Sequence, residues 1–414
     1  MVAVGCLLRP WRLADGESIS EYETAFARRV GVRHAVSFAH GRVGLYGILR
    51  ALGVGEGDEV LVPVPTHIVV PNAVRYTGAR PVYVDCSLHT YNIDLEAAER
   101  LVSSRTKALI VQHTFGIPVD LDRAVEVARR HGLHLIEDCV HSLGARHRGR
   151  PLGSVGRAAF FSTEETKTIS STMGGVAVTN DPGLAAELER FRAECRRPKR
   201  ASTARYLLKL IAYHLLTQPH IHRYARRAYE RLGRPQPLAR ATTVEEQHGG
   251  RPRGYEERLA NAQAAVAFRQ LRRLDDNLVH RRMIAALYGE ELAARGYEVP
   301  RPPAEAESAY VRFPVRVVDR GDTARRVAPW AVLGTWFTSV LEESASPDAG
   351  GYEAGSCPNA ELVARDLVNL PTHPRVSRRD ARTIASVLAR TRPPAGYARL
   401  RTHEAEGRLS GLLT

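Results

Sequence analysis

Long apolar runs are missing from this sequence of 414 residues. None approaches the roughly 20 residues that an α-helix needs to cross a bilayer, and the first residues lack the basic start and long apolar stretch of a secretory signal. The five cysteines, at positions 6, 86, 139, 195 and 357, form no Cys-x-x-Cys pair and show no metal-ligand spacing. An odd, scattered set is typical of reduced thiols. These absences predict a soluble cytoplasmic protein without a bound metal.

Acidic residues are scarce in one segment in particular. The chain has a net charge of +14, and residues 196–253 contain 14 Lys/Arg but only 3 Glu, a local net charge of +11 that leaves +3 for the rest. Such a segment can attract phosphates, an anionic substrate, an acidic partner or a membrane surface. The sequence contains no helix-turn-helix segment or basic recognition helix, so we do not expect nucleic acid as a partner.

The remaining composition, 44% hydrophobic and 25% charged residues, is that of a globular protein. The length predicts two packed lobes rather than a single core. Short apolar runs rich in β-branched residues alternate with helical patterns, and they occur at 34–38, 60–63, 81–85, 107–111 and 133–138. Runs of this kind are typical of buried parallel strands, so we expect an α/β sheet.

These patterns divide the chain into five parts. We predict an N-terminal segment (1–19), a large domain (20–195), a basic helical insertion (196–253), a linking helix with a small C-terminal domain (254–392) and a poorly ordered tail (393–414). Within the insertion, two apolar stripes on either side of Pro219 predict a helical hairpin over 198–235. The linking helix is predicted over 260–292, followed by a strand over 310–318 and a final helix over 378–388.

Four candidate site residues lie at or after the ends of predicted strands. Asp138 ends the last of the five strands, Gly41-Arg42 follows the first, and Lys167 lies between an apolar run and a Gly-Gly turn. Ligands of open α/β sheets bind at the carboxyl ends of the strands. Pyridoxal phosphate (PLP) requires a lysine for an imine, a carboxylate for its pyridine nitrogen and donors for its phosphate. Each residue alone also fits a structural role. Lys167 could be a surface lysine and Asp138 a helix N-cap, and Ser162, a further candidate for the phosphate, could be a turn serine.

Longer stretches carry a more specific signal. From about residue 20 to 390 the chain resembles the DegT/DnrJ/StrS family of PLP-dependent sugar aminotransferases, in stretches such as GRVGLYGILRALGVGEGDEVLVP, HGLHLIEDCVHSLGA, FFSTEETK, NAQAAVAFRQLRRLD and NLPTHP. The resemblance implies fold type I of the PLP-dependent transferases (the aspartate aminotransferase superfamily). In that fold the large lobe has a mostly parallel seven-stranded sheet and the C-terminal α/β lobe is smaller. It also implies a homodimer with shared active sites.

The resemblance assigns roles residue by residue. Lys167 occupies the position of the catalytic lysine that holds PLP as a Schiff base, Asp138 that of the partner of the pyridinium nitrogen, and Ser162 that of a phosphate ligand. His67 stands where the family usually stacks an aromatic ring on the cofactor, with an ordinary loop histidine as the alternative. His141 stands near the cofactor, where the family usually has a glutamine.

The phosphate ligands depart from the family pattern. Gly41-Arg42 replaces the usual Gly-Thr, and Glu256 replaces an asparagine that reaches over from the partner subunit. Because a carboxylate should repel a phosphate dianion, we hypothesise that Arg42 supplies the missing charge by bidentate contact. The helix that begins near Val43 adds its N-terminal dipole. Four further residues match positions near the active site, with core packing as the alternative for each: His113, Phe115, Trp336 and Phe337.

The reaction that the resemblance implies is transamination. An amino acid, glutamate or glutamine, would donate its amino group to a keto group of a sugar, nucleotide sugar or related cyclic substrate, in secondary-metabolite or cell-surface glycan biosynthesis. Two alternatives stay open. One is a sugar dehydratase using the same cofactor, against which Lys167 argues because such relatives carry histidine there. The other is a catalytically silent binding or regulatory protein.

The basic insertion has three interpretations. The sequence favours a solvated helical excursion that packs on the dimer partner. A second interpretation is a cap that attracts a pyrophosphate-bearing substrate. The third, and least favoured, is docking of 198–235 on an anionic membrane surface, as amphipathic basic helices can do.

Overall fold

The computed structural model describes residues 2–216, 242–334 and 336–390. Its centre is a seven-stranded sheet, in the order β1 (His34–Phe38), β10 (Gly175–Thr179), β9 (Ala158–Ser162), β6 (His134–Asp138), β5 (Thr106–Gln112), β2 (Glu59–Pro63) and β4 (Arg80–Val84). Only β10 runs antiparallel to its neighbours; the other neighbouring pairs are parallel. The predicted fold class, an α/β protein with a mostly parallel seven-stranded sheet, is confirmed.

Both faces of the sheet are buried, which explains why its strands are almost wholly apolar. Alternate residues of a strand point to opposite faces. Accordingly Leu61 and Leu109 belong to one hydrophobic cluster, whereas their chain neighbours Val60, Val62 and Ile110 belong to the other. Each large aliphatic side chain buried in this way contributes about 1.5–3 kcal/mol. The position of the sheet is therefore fixed from both sides, and its strand ends are rigid supports for a site.

Helices cover the two faces and connect the strands. In the large lobe they are α1 (Val2–Leu7), α2 (Ser18–Val30), α3 (Gly41–Ala51), α4 (Val69–Arg75), α5 (Leu95–Arg100), α6 (Leu121–Arg130) and α7 (Pro182–Glu194). Asp94, Asp120 and Asp181 cap α5, α6 and α7 by accepting hydrogen bonds from backbone N–H groups of the first turn,. Single-turn 3-10 helices lie at Pro10–Arg12, Thr114–Gly116 and Pro347–Gly350.

The basic insertion is described only in part, because residues 217–241 lie outside the described ranges. Its described part contains α8 (Arg200–Leu216), the beginning of the predicted hairpin, and the short helix α9 (Val244–Gln247). The second apolar stripe of the hairpin and the predicted tail also lie outside the described residues. None of the described helices is both long and apolar enough to pass through a membrane.

The linking helix is not continuous, and this prediction was wrong. Instead, α10 (Asn261–Leu271) and α11 (Leu274–Ala293) are separated by a break at Arg273, whose φ of −111° and ψ of 10° leave the helical region. Side chains beside the break bind the turn that contains Lys167. Gln270 accepts a hydrogen bond from the Ser170 N–H at 2.9 Å, and Asn277 donates one to the Thr168 carbonyl at 2.7 Å. The break therefore lets two helices contact one turn.

The small lobe packs helices on an antiparallel strand pair. The pair consists of β12 (Arg312–Arg316) and β14 (Leu367–Pro371), and the helices are α11, α12 (Arg320–Val327) and α14 (Arg378–Leu388). A further helix, α13 (Pro358–Asp366), packs in a separate cluster with large-lobe residues such as Val64 and Ile68. Further short strands are β3 (Thr66–His67), β7 (Arg146–His147), β8 (Arg150–Pro151), β11 (Ala306–Glu307) and β13 (Leu341–Glu342). β13 pairs with β3, so the small lobe is joined to the large lobe beside the ends of the central strands.

Candidate active site

Asp138 and Lys167 lie at the carboxyl ends of two adjacent strands. Asp138 is the last residue of β6, and Lys167 lies in the turn that follows β9. Asp138 is only 1% exposed. Its Oδ1 accepts a hydrogen bond from the Val140 N–H at 3.1 Å, whereas its buried Oδ2 has no hydrogen-bond partner among the described residues. A buried carboxylate oxygen without a donor is costly and calls for a ligand with a proton to donate.

The charges of this pair are shifted by burial. Burial raises the pKa of Asp138 to about 7, although the Val140 N–H, Lys167 and His67 act in the opposite direction. Burial also lowers the pKa of Lys167, against the raising effect of Glu164 and Asp138. Desolvation disfavours the charged form of each group. The lysine is thereby moved toward the neutral amine that imine formation and proton transfer need.

A second buried carboxylate holds the Asp138 strand in place. Glu137 accepts hydrogen bonds from the backbone N–H groups of Gly153, Val155 and Gly156, and its Oε2 lies 3.2 Å from His113 Nε2. Burial alone would raise the pKa of Glu137, but these bonds together lower it. His113, one of the four residues with two interpretations, is therefore a structural partner of Glu137.

The start of α3 lies directly against the end of β9. A Cβ atom added to Gly41 would lie 2.9 Å from the Phe161 carbonyl oxygen and 3.3 Å from Ser162 Cβ, so only glycine allows this close approach,. Ser162 ends β9 and is partly buried, and Val43 is buried in the first turn of α3. The structure thus brings together Gly41, Val43 and Ser162, three of the predicted phosphate ligands, at a helix N-terminus suited to an anion.

Arg42 faces a carboxylate that the sequence did not reveal. Its Nε lies 2.7 Å from Oε1 of Glu246 in α9, and the two side chains are 10% and 1% exposed. Arg42 also accepts a hydrogen bond from the Tyr255 hydroxyl at its carbonyl, at 3.0 Å. Glu256 forms an ion pair with Arg251. The role of Arg42 at the phosphate stays a prediction, and the structure adds Glu246 as a competitor for its charge.

Three aromatic rings lie near Lys167. The Lys167 Nζ lies 4.3 Å from the centroid of the Trp336 ring, which stacks on the His141 ring with centroids 4.6 Å apart. Burial and nearby positive charges lower the pKa of His141 well below its usual value, which favours the neutral ring. The Nε2 of His67 lies 3.6 Å from Oε2 of Glu343. His67 thus lies at the site with a carboxylate partner, and its stacking on a cofactor stays a prediction.

Of the residues with two interpretations, Trp336 belongs to the site, whereas Phe115 and Phe337 are 0% and 2% exposed and pack in a hydrophobic cluster. Two small-lobe residues were missed. The Arg312 guanidinium lies 5.8 Å from the centroid of the Trp336 ring. Its charge helps to lower the pKa of Lys167, and Glu343 opposes this effect. No sequence signal marks them, because they reach the site only when the lobes pack.

Together these features define the kind of ligand that the site can hold. The Oδ2 of Asp138, which has no hydrogen-bond partner in the described part of the chain, needs a proton donor such as a pyridinium nitrogen. The Lys167 amine can bond covalently to a carbonyl, and the turn at Gly41 offers backbone N–H groups to an anion. PLP combines these three features in one molecule. The fold and the site are therefore those of a PLP-dependent enzyme of fold type I.

Comparisons with known proteins give the family. Residues 3–389 match the model of the DegT/DnrJ/EryC1/StrS aminotransferase family. GDP-perosamine synthase of Caulobacter vibrioides is 31% identical over 388 residues, 92% of each chain. The erythromycin biosynthesis sensory transduction protein EryC1 of Saccharopolyspora erythraea is 32% identical over 382 residues, 91% of each chain. A crystal structure of S. venezuelae DesV in complex with a ketimine intermediate superimposes with a TM-score of 0.74 at 30% identity, covering 94% of this chain and 92% of DesV.

The chain therefore belongs to the DegT/DnrJ/EryC1/StrS aminotransferase family, and it is a PLP-dependent aminotransferase. The prediction of the family and of the cofactor from the sequence is confirmed.

Proposed function

We propose that this aminotransferase moves an amino group from an amino acid, glutamate or glutamine, to the keto carbon of a nucleotide-linked sugar. The relative named GDP-perosamine synthase, which spans nearly the whole chain, supports a sugar as the acceptor. The observation that carries the proposal is the juxtaposition of a free, buried carboxylate oxygen on Asp138 with a lysine whose pKa burial lowers.

Lys167 and Asp138 have complementary roles in this proposal. Lys167 holds the cofactor and, once released by the amino donor, moves a proton from the α-carbon of the donor. A positioned amine contributes about 10²–10⁴-fold to such a step. Asp138 keeps a proton on the pyridine nitrogen by its negative charge. When bound, PLP supplies the electron sink that stabilises the negative charge left on that carbon.

The phosphate would lie between Gly41, Val43 and Ser162. Glu256, the residue that departs from the family pattern, pairs with Arg251, and the Arg251 guanidinium lies 4.7 Å from the centroid of the Tyr46 ring. This pairing offsets the negative charge that would otherwise repel the phosphate. The proposal includes a homodimer with shared active sites, in which the loop around Glu256 of one subunit lies near the site of the other.

The position of the cofactor can be tested directly. The chain has four lysines, at 107, 167, 199 and 209, so borohydride reduction of the PLP-loaded protein followed by peptide mapping gives an unambiguous answer. We expect the label on Lys167. The Lys167→Ala variant should fold, lack the label and release no 2-oxoglutarate from glutamate. Lys199→Ala, which changes an exposed lysine, should behave like the wild type.

The acceptor needs a separate measurement. Protein converted to its amino form by glutamate is mixed with GDP- or TDP-linked keto sugars, and return of the PLP absorbance reports transfer. A label on another lysine would contradict the site. Label on Lys167 with glutamate turnover but no response to any keto sugar would contradict only the sugar acceptor.

A further inference from the structure

Exposed hydrophobic side chains are concentrated in one region of the molecule. Eleven large hydrophobic residues are exposed within the described ranges, and five of them lie in α1, the turn that follows it, and α8. Their exposed fractions are high: Val4 48%, Leu8 74%, Trp11 62%, Leu208 57% and Leu215 55%. We call residues 2–12 and 197–216 together the α1–α8 surface.

The two segments form one unit rather than two unrelated patches. Leu207 of α8 is fully buried with Leu13 and Val266, and partly buried residues of α1 pack on the same cluster, among them Cys6 and Leu7. One side of α8 is thereby fixed to the large lobe. Within the described part of the chain, the remaining side of α8 is exposed.

The exposed side of α8 is a continuous stripe. Leu208 and Leu215 are seven residues apart, which is two helical turns, so they point the same way. Ala201, Arg205 and Ala212, at spacings of seven, three and four residues from Leu208, are also exposed. A stripe of small and large apolar side chains with an arginine at its edge is typical of a helix that lies in an interface.

The charge of this surface has one sign. Residues 2–12 and 197–216 contain no acidic residue. Six of their basic residues are exposed, and none of the six forms an ion pair within the described part of the chain: Arg9, Arg12, Arg197, Lys199, Arg200 and Arg205. A partner for this surface must therefore carry negative charge and also offer an apolar region that can bury the exposed side chains.

We propose that the α1–α8 surface docks the protein on an anionic membrane surface. Leucines on one helix face can enter the acyl boundary, tryptophan favours the headgroup level, and lysines and arginines bind anionic headgroups. A second copy of the chain fits less well, because in a two-fold interface the same patch meets itself and brings like charges together. Nucleic acid supplies the charge but no partner for exposed leucines.

Co-sedimentation of the full-length, PLP-loaded protein with vesicles tests this proposal. The vesicles are phosphatidylcholine alone, or phosphatidylcholine with roughly a third of phosphatidylglycerol to give the surface a negative potential. We expect binding to the anionic vesicles only. Raising the salt from about 0.1 M to about 1 M shortens the Debye length from about 10 Å to about 3 Å and should release most of the protein.

Two double variants distinguish vesicle binding by the α1–α8 surface from non-specific adsorption. Leu208→Gln combined with Leu215→Gln should lower the vesicle partition coefficient by about tenfold or more, since two leucines leave the acyl boundary. Val279→Gln combined with Val318→Gln removes side chains that are 68% and 65% exposed elsewhere and should leave partitioning unchanged. Circular dichroism checks that both variants fold.

Three results would overturn the proposal. One is equal binding to neutral and anionic vesicles. Another is binding that the Leu208/Leu215 variant retains. The third is a change of molar mass of this variant in light scattering without vesicles, which would assign the surface to a second copy of the chain.

Discussion

The ion pair between Arg42 and Glu246 makes a prediction that joins stability to the cofactor site. The pair is nearly buried, with 10% and 1% of the two side chains exposed and 2.7 Å between Nε and Oε1. Glu246→Gln keeps the shape but removes the carboxylate charge that faces the guanidinium. Removing one partner of a buried pair destabilises by about 3–5 kcal/mol. Since glutamine keeps a polar group beside the guanidinium, we expect a loss near the lower bound.

Urea unfolding of the cofactor-free protein measures this loss. The double variant Arg42→Met, Glu246→Leu should regain part of the lost stability, because two apolar side chains can replace a buried pair with little loss. The recovery is incomplete because leucine also removes the oxygen that accepts a hydrogen bond from the Thr243 N–H, at a cost of about 1 kcal/mol,. Non-additivity of this kind is what coupled neighbours show. A loss below about 1 kcal/mol for Glu246→Gln, or a double variant as unstable as the two single changes combined, would refute the reasoning.

The same variant tests the phosphate hypothesis. A ligand at about 100 times its Kd stabilises the folded state by about 2.7 kcal/mol. If Arg42 serves the phosphate, removal of Glu246 frees its charge for the dianion, and Glu246→Gln should bind PLP more tightly than the wild type. PLP affinity that falls or stays the same would contradict a role of Arg42 at the phosphate.

Three further predictions concern single residues. Asp138 has a pKa of about 7 in the folded protein and of about 3.9 when unfolded. The cofactor-free protein should therefore lose stability as the pH rises from the lower to the higher value. The urea midpoint, measured as a function of pH, should show this fall in the wild type and not in Asp138→Asn. Gly41→Ala places a Cβ 2.9 Å from the Phe161 carbonyl oxygen, and this overpacking should lower stability by about 1–3 kcal/mol and weaken PLP binding in a titration. Glu165, whose side chain is 8% exposed, forms an ion pair with Lys209 at 3.1 Å. Lys209→Met removes this partner, and thermal unfolding should show a loss of about 1–3 kcal/mol in the free energy of unfolding that Arg205→Met does not share.

The sequence predicted the central sheet well because buried parallel strands have a strong pattern. β1 and α14 have the predicted bounds, 34–38 and 378–388. The break in the linking helix was missed, since neither proline nor glycine marks Arg272 or Arg273,. It depends on contacts of Gln270 and Asn277 with the turn around Lys167, and these residues are about 100 positions apart along the chain. Local helix propensity does not depend on such long-range contacts, so the sequence pattern could not predict the break.

The candidate site shows the same division. Asp138, Ser162 and Lys167 were predicted from their fixed places in motifs, and the structure places them at or just after the ends of β6 and β9; their roles stay predictions. Glu246 could not be predicted, because its carboxylate belongs to a short helix inside the basic insertion and meets Arg42 only in three dimensions. The capping box that Glu246 forms with Thr243 is visible in the sequence, but a capping glutamate normally interacts only with the start of its own helix,. The sequence therefore predicted the charge of Arg42 without the charge that balances it.

The chemistry of Lys167 is divided between the two lobes. The large lobe supplies the lysine, Asp138 and the phosphate turn, whereas Trp336, Arg312 and Glu343 come from the small lobe. Arg312 lowers the pKa of the lysine and Glu343 raises it, so the pKa of this amine depends on side chains from both lobes. Closure of one lobe on another commonly completes an active site and excludes water. Arg312 and Glu343 bring opposite charges to the same amine, so the packing of the small lobe contributes to the pKa of Lys167 together with its burial in the large lobe.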